Sequence, residues 1–175
     1  MNILSSTRIS IVVIISLFCG SIHADDWPQW RGPNRNAIST EQGLLQQWST
    51  DKPPPTRWQA SGLGGGYAGV VVSGGMVFTI GAQGSNVFCT ALDEQTGRQR
   101  WSTKIGETQR NPCSTPTVDG KHIFALDPDG DLVCLQTNDG KIIWKISFLE
   151  DFSGRMMSGR GYGESPLIVG DRLIC

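Results

Sequence analysis

The sequence predicts an all-β fold: a partial β-propeller of four-stranded antiparallel blades, about two and a half in number, after an N-terminal signal peptide. Three observations lead to this prediction. Glycine accounts for 22 of the 175 residues and separates short apolar runs. Asp-Gly pairs between such runs are typical of β-hairpin turns. A pattern that ends in Gly and Trp also recurs after 43 residues.

The first 24 residues have the layout of a secretory signal peptide. Arg8 precedes an apolar run over residues 9–18, and the small residue Ala24 ends the segment. The run is shorter than the roughly 20 residues that cross a bilayer, so we expect no stable membrane span. We expect cleavage after Ala24 and export of the remainder, beginning at Asp25, to the periplasm or the cell exterior.

The charge of the chain argues against a nucleic-acid partner. The formal net charge is −1, with 15 basic and 16 acidic residues. Proteins that bind nucleic acid carry a clustered basic surface, and the sequence has no such cluster.

A repeat organises the chain. The sequence pattern of residues 91–101 recurs in residues 134–144, and each copy places a Trp four residues after a Gly. The glycine suits a turn, and the indole can fill the wedge between adjacent blades. The equivalent repeat positions are Gly97, Trp101, Gly140 and Trp144.

Another Trp, Trp58, lies a further 43 residues upstream, without the rest of the pattern. This match is either a coincidence or only a final strand. A second pattern, shared by residues 114–120 and 164–170, recurs after 50 residues. The length of the repeat therefore varies, and the variation lies in its loops.

The predicted domain organisation follows from this repeat. After the signal peptide (1–24), residues 25–60 form an extended segment that could supply a single strand, and residues 61–175 form the blades. A third blade begins at Ser165 and reaches its second strand at Cys175. The predicted strands are 69–73, 76–81, 86–92 and 98–104 in the first blade and 115–118, 121–126, 131–136 and 141–147 in the second.

These residues resemble a known family. The string over 91–101, Ala-x-Asp-x-x-Thr-Gly-x-x-x-Trp, resembles the tryptophan-docking repeat of quinoprotein-type, or PQQ-like, propellers. Residues 26–36 are similar to the N-terminus of exported bacterial PQQ-binding-like β-propeller proteins. The second repeat departs from the pattern at Cys134, Gln136 and Asp139. The resemblance implies further blades, so we expect this chain to be an N-terminal fragment, and it implies PQQ with calcium as a cofactor.

The loops that precede the second and third blades hold the candidate binding residues. Propeller ligands usually approach one end of the ring, where loops carry function. Arginine offers a planar fork suited to carboxylates, including those of a quinone cofactor, although solvated loop charges are the alternative. The candidate cofactor-binding residues are Arg110, Arg155, Arg160, Tyr162 and Glu164.

No metal site is assigned from the sequence. Asp127, Asp129 and Asp131 alternate as carboxylates do in calcium loops, but the full EF-hand pattern is missing, which favours a polar hairpin turn. The exported chain retains only His122, so no His-based triad is predicted. Cysteines without C-x-x-C spacing indicate neither zinc nor a disulfide scaffold. We expect buried thiols at Cys89 and Cys134, and pairing stays open among Cys89, Cys113, Cys134 and Cys175.

The expected function is an exported PQQ-like module that acts as a binding or scaffold domain for an unidentified small molecule or protein, with its activity unassigned. The first alternative is a PQQ-dependent dehydrogenase that oxidises alcohols or sugars. For that activity the resemblance implies a vicinal Cys pair, a calcium-binding carboxylate set and an Asp base, and the chain has no Cys-Cys dipeptide. The second alternative is a scaffold for outer-membrane protein assembly, which the lack of a lipidation signal disfavours. Catalysis therefore stays an open question at this level.

Overall fold

The computed structural model describes residues 24–175, which form two four-stranded antiparallel sheets followed by a two-stranded hairpin. The predicted signal peptide, apart from Ala24, lies outside the described residues. The first sheet contains β1 (Val71–Ser73), β2 (Met76–Gln83), β3 (Asn86–Asp93) and β4 (Gln99–Glu107). The second contains β5 (Thr117–Asp119), β6 (His122–Leu126), β7 (Asp131–Gln136) and β8 (Ile142–Ser147). Helix α1 (Phe148–Phe152) and the hairpin of β9 (Leu167–Val169) and β10 (Arg172–Ile174) follow.

The predicted all-β fold of four-stranded blades is confirmed, with differences at strand ends. Strand β1 begins two residues later than predicted, and the backbone N–H of Gly69 instead donates to Oγ1 of Thr115 (3.0 Å). Strand β2 runs two residues longer than predicted, as far as Gln83. Strand β4 begins one residue later and ends three residues later than predicted, at Glu107. Each sheet nevertheless keeps its four strands in chain order.

Helix α1 was not predicted, because its five residues are too few to show a helical period. Its ends carry local signals that the sequence analysis missed. The hydroxyl of Ser147 accepts the backbone N–H of Glu150 at the start, and Ser153 adopts a left-handed φ of 53° at the end. Ser is a favoured N-cap residue because its oxygen satisfies an amide that has no partner within the helix.

The two repeat tryptophans occupy equivalent places in the two sheets, as predicted. Trp101 pairs with Ala91 and Trp144 with Cys134, and a register shift follows each pair. Each indole also packs against a Phe of the second strand of its own sheet, at 5.9 Å between ring centroids in both cases. The 43-residue repeat therefore describes one supersecondary unit that is present twice.

Each repeat glycine packs against the indole of a tryptophan that lies one repeat earlier in the chain. The indole of Trp101 lies against Gly140 of the second sheet, and its Nε1 donates to the backbone oxygen of Thr137 (2.9 Å). Trp58 lies against Gly97 in the same way, and its Nε1 donates to the oxygen of Glu94 (2.8 Å). Trp58 thus makes the contacts of a repeat tryptophan, and its spacing is not a coincidence.

The hydrophobic core lies between the two sheets and draws mainly on their middle strands. Such strands are covered on both faces, which explains their near-continuous apolar runs. Cys89 and Cys134 are buried and unpaired, as expected, and burial raises the pKa of the Cys89 thiol to about 12. The other two described cysteines, Cys113 and Cys175, are also free. The fully or nearly buried members of the core include Val71, Phe78, Ile80, Val87, Ile105, Ile123, Ala125, Val133 and Leu135.

Hydroxyl groups connect the first strands of consecutive units. The bond from Gly69 to Thr115 has a counterpart in the next unit, where the N–H of Thr115 donates to Oγ of Ser165 (3.0 Å). A Ser or Thr directly before a Pro therefore joins each unit to the previous one.

The N-terminal segment is attached to both sheets. Trp27 forms an isolated antiparallel bridge with Val72 of β1, with N···O distances of 2.8 and 3.0 Å. The next residue, Pro28, accepts the N–H of Val118 in β5 (2.7 Å). None of the helices in the described part of the chain is long and apolar enough to cross a membrane.

We expect the contact between Trp101 and Gly140 to determine how firmly the two sheets are joined. A Cβ atom on Gly140 would lie 2.5 Å from Cε3 of Trp101, and the residue has a φ of +70°. The Gly140→Ala substitution should lower the free energy of unfolding by about 2–4 kcal/mol through the left-handed backbone and overpacking together. Urea denaturation measures this loss.

The matched control is Gly120→Ala. Gly120 also has a positive φ, of +55°, but a Cβ there meets no atom within 4 Å. This variant should lose only the backbone contribution, about 1–2 kcal/mol. Equal losses in the two variants would contradict the importance of the indole contact.

Candidate functional site

The antiparallel topology separates the connections into two ends of the sheets. The turn between the second and third strands and the link from one sheet to the next share one end, here called the loop face. The hairpin turns between the first and second and between the third and fourth strands share the other end, here called the turn face. A hydrogen bond from the N–H of Thr108 to the oxygen of Ser85 (2.8 Å) joins two connections of the loop face.

A polar cavity of about 300 Å³ opens on the loop face and is here called the Arg110 cavity. The Arg110 guanidinium forms an ion pair with Asp129, and its Nε donates to the oxygen of Gly159 (3.3 Å). Arg160 lies on the exposed rim and forms no ion pair within residues 24–175. The remaining lining residues are Tyr67, Gln109, Asn111 and Cys113.

The structure divides the five candidate cofactor-binding residues between two places. Arg110 and Arg160 line the Arg110 cavity. The other three line a different cavity of about 640 Å³, which lies between the second sheet and the final hairpin. Those three are Arg155, Tyr162 and Glu164. Neither of these two cavities contains all five residues.

Tyr162 has a packing role. Its ring meets Phe148 of α1 edge to face at 5.2 Å between centroids, and it covers Gly130, where a Cβ would lie 2.8 Å from Cε2 of the tyrosine. Its N–H donates to the oxygen of Pro128 (2.9 Å). The tyrosine thus holds the loop after α1 against the turn between β6 and β7.

The three aspartates of that turn face different partners. Oδ1 of Asp127 accepts the N–H groups of Asp129 (3.0 Å) and Asp131 (2.9 Å). Asp129 pairs with Arg110, and Asp131 pairs with Lys145 at 2.6 Å. No group of three His, Cys, Asp or Glu side chains within residues 24–175 is arranged to hold a metal ion. The geometry is that of a polar hairpin turn.

Asp127 carries a buried oxygen without a hydrogen-bond partner. The residue is 0% exposed, and its Oδ2 is directed against Gly106 of β4, where only a glycine leaves room. Burial raises the pKa of the Asp127 carboxyl to about 6. Hydrogen bonds from the backbone of Asp131 and Asp129 oppose this rise, and their negative charges add to it.

Tyr67 is the lining residue that sequence reasoning missed. It follows three glycines and precedes β1, so its loop corresponds in position to the loops that were predicted to bind. Its side chain is 74% exposed, and its N–H donates to the oxygen of Pro112 (2.6 Å). The sequence signal that could have identified it is an aromatic residue within the glycine-rich loop before the first strand.

Residues 84–175 match the model of the family described as outer membrane protein assembly factor BamB. The chain belongs to this family of PQQ-like β-propeller repeats. The match covers the last two strands of the first sheet, the whole second sheet and the final hairpin of this BamB-like chain.

Two dehydrogenases also align with this BamB-like chain. A lanthanide-dependent methanol dehydrogenase of Methylacidiphilum fumariolicum is 26% identical over 159 residues, which are 83% of this chain and 25% of that protein. A quinoprotein ethanol dehydrogenase of Pseudomonas aeruginosa is 30% identical over 107 residues, 58% of this chain and 16% of that protein. The chain therefore spans a quarter or less of the length of these curated relatives.

Among solved structures, the BamB-like chain is similar to the quinohemoprotein alcohol dehydrogenase ADHIIG from Pseudomonas putida HK5. The sequence identity is 17% and the TM-score 0.49, over 66% of this chain and 17% of that one.

The buried carboxyl of Asp127 leads to a prediction about pH. A carboxyl whose pKa is higher in the folded than in the unfolded state stabilises the fold most below the unfolded value. With the pKa rising from 3.8 to about 6, about 2–3 kcal/mol of stability should be lost between pH 4 and pH 7. The Asp127→Asn variant should lack this loss, because an amide does not ionise.

Chemical denaturation at a series of pH values measures this difference. Asp171→Asn is the control, since Asp171 is 97% exposed and the variant should keep the wild-type profile. The same slope for wild type and Asp127→Asn between pH 4 and pH 7 would contradict the prediction.

Proposed function

We propose that this chain is part of an exported PQQ-like propeller that acts as a binding or scaffold module through its loop face. The Arg110 cavity is the observation that carries the proposal. Three separate connections converge there: the loop before β1, the link from β4 to β5 and the loop after α1. The signal-peptide pattern of residues 1–24 supports export.

The chemistry of the cavity suits a partner with acidic groups. The pairing of Arg110 with Asp129 and its bond to Gly159 hold one guanidinium in a fixed position. Arg160 adds an exposed guanidinium, and the amides of Gln109 and Asn111 add neutral donors. Guanidinium groups bind carboxylates through two parallel hydrogen bonds, which favours a defined orientation of the bound group. The description of the family as an assembly factor supports the scaffold form of this proposal.

Site-specific photo-crosslinking in the producing cell tests the loop face. A photoreactive amino acid at position 160 should give discrete adducts with a partner. The same probe at position 138 should not, because Asn138 is exposed on the turn face between β7 and β8. Arg160→Glu, combined with a probe at position 67, should weaken the adducts. Adducts that form equally from both faces, or only from position 138, would contradict the proposal.

A quinoprotein dehydrogenase is the second candidate function. It is favoured by the 26% identity to the methanol dehydrogenase over 83% of this chain. The guanidinium groups of the Arg110 cavity fit the carboxylates of a quinone cofactor. The described residues do not fit its metal, since Asp127, Asp129 and Asp131 face separate partners. No redox step is therefore derived from these residues.

Addition of PQQ with calcium to the protein tests this candidate. A ligand that binds the native state alone raises the melting temperature, by an amount that corresponds to about 2.7 kcal/mol at 100 times its Kd. A saturable rise that depends on both PQQ and calcium would support the dehydrogenase. The absence of any rise at saturating cofactor would favour the binding module.

A further inference from the structure

A third cavity, of about 480 Å³, lies beside the Arg110 cavity, between the N-terminal segment and the chain that leads into β9. It is here called the Arg31 cavity. The N-terminal segment contributes Trp30, Arg31 and Arg35, and the opposite wall includes Glu164 and Pro166. The cavity therefore combines two cations, an aromatic ring and an apolar wall.

The loop that carries the two arginines is held in one conformation. Arg31 and Arg35 both adopt left-handed φ values, of 67° and 57°. Non-glycine residues in this region are strained, and such strain tends to gather at functional sites. The N–H of Arg35 donates to the oxygen of Gly32 (3.1 Å), and the oxygen of Arg31 accepts the N–H of Ala37 (3.0 Å). The Trp27 indole packs directly on Gly32, where a Cβ would lie 2.7 Å from its ring.

This loop is also fixed relative to the sheets. Trp27 forms a bridge with Val72 of β1, and Pro28 accepts a hydrogen bond from Val118 of β5. Only one residue, Gln29, separates these anchors from the cavity-lining Trp30. The positions of the two guanidinium-bearing residues are thus set before any ligand arrives, which reduces the entropy cost of binding.

The side chains that line the cavity carry more positive than negative charge. Neither Arg31 nor Arg35 forms an ion pair with any residue in the range 24–175. The guanidinium carbon of Arg31 lies 5.5 Å from the centre of the Trp30 ring, and Trp30 as a residue is 59% exposed. Glu164 is the acidic side chain on the opposite wall, and it accepts the N–H of Gly163 (3.1 Å).

We propose that the Arg31 cavity binds a small aromatic carboxylate. The two guanidinium groups would bind the carboxylate, because their planar forks match its two oxygens. The exposed Trp30 ring offers a stacking surface for the aromatic part, and Pro166 and Leu167 provide apolar contact on the other side. The proposal rests on the proposed binding function and deepens it by naming a ligand class, but it uses arginines outside the Arg110 cavity.

Titration of the full chain with 2-naphthoate tests this site, with calorimetry as the readout. The uncharged 2-naphthamide has the same ring and serves as the probe control. Wild-type protein should bind 2-naphthoate saturably and at least tenfold more tightly than the amide. The Arg31→Gln/Arg35→Gln variant should bind it at least tenfold more weakly than wild type.

The matched control variant is Arg98→Gln/Arg172→Gln, which removes two positive charges at exposed positions outside the cavity and should leave the Kd within twofold. Glu164→Gln should tighten binding about threefold, because it removes the negative charge opposite the arginines. A folding defect cannot produce such a gain.

Three results would overturn the proposal: no saturable binding to wild type, equal affinity for the acid and the amide, or an unchanged Kd in the Arg31→Gln/Arg35→Gln variant. Crosslinks from position 160 that persist in that variant would leave the proposed binding function standing. If wild-type protein binds 2-naphthoate but gives no crosslinks from position 160, the Arg31 cavity is a ligand site and the proposed role as a scaffold for a partner is contradicted.

Discussion

An indole packed against the Cα of a left-handed glycine joins consecutive repeat units at two places in the described part of this protein. The ring buries apolar area, its Nε1 satisfies a turn carbonyl, and the glycine provides both the backbone conformation and the space. Trp58 makes this contact with Gly97, and Trp101 makes it with Gly140. Because each contact involves two units, the angle between neighbouring sheets, and so the placement of every loop, depends on it.

The turn between β6 and β7 adds a polar connection between the same sheets. Asp127 lies against Gly106 of the first sheet without a partner for one oxygen, an arrangement that costs free energy when the carboxyl is charged. Nearby, the ammonium group of Lys145 reaches both Asp131 and the backbone oxygen of Ile105. Arg110 connects Asp129 to the loop face. The candidate binding surface and the sheet interface therefore share one set of charges.

The local pattern of amino acids predicted much of the fold but little of the candidate binding site. Short apolar runs separated by Asp-Gly and other turn residues predicted the eight strands of the two sheets. Both ends of strand β7 were predicted correctly. The five candidate binding residues were chosen because their loops occupy corresponding positions, yet they line different cavities. Tyr162 turns toward Phe148 of a short helix that no sequence period revealed. Arg31 and Arg35 were overlooked because their cavity forms only when the N-terminal segment meets residues about 130 positions later.

The amino-acid sequence alone determined the repeat, its turns and the glycine and tryptophan positions that join the sheets. These features depend on backbone preferences and on side chains whose spacing is regular along the chain. Tertiary structure alone decided which arginines are paired, which are free, and which loops form a cavity together. Those outcomes depend on distances between residues far apart in sequence, such as Arg110 and Gly159, and no local pattern encodes such distances.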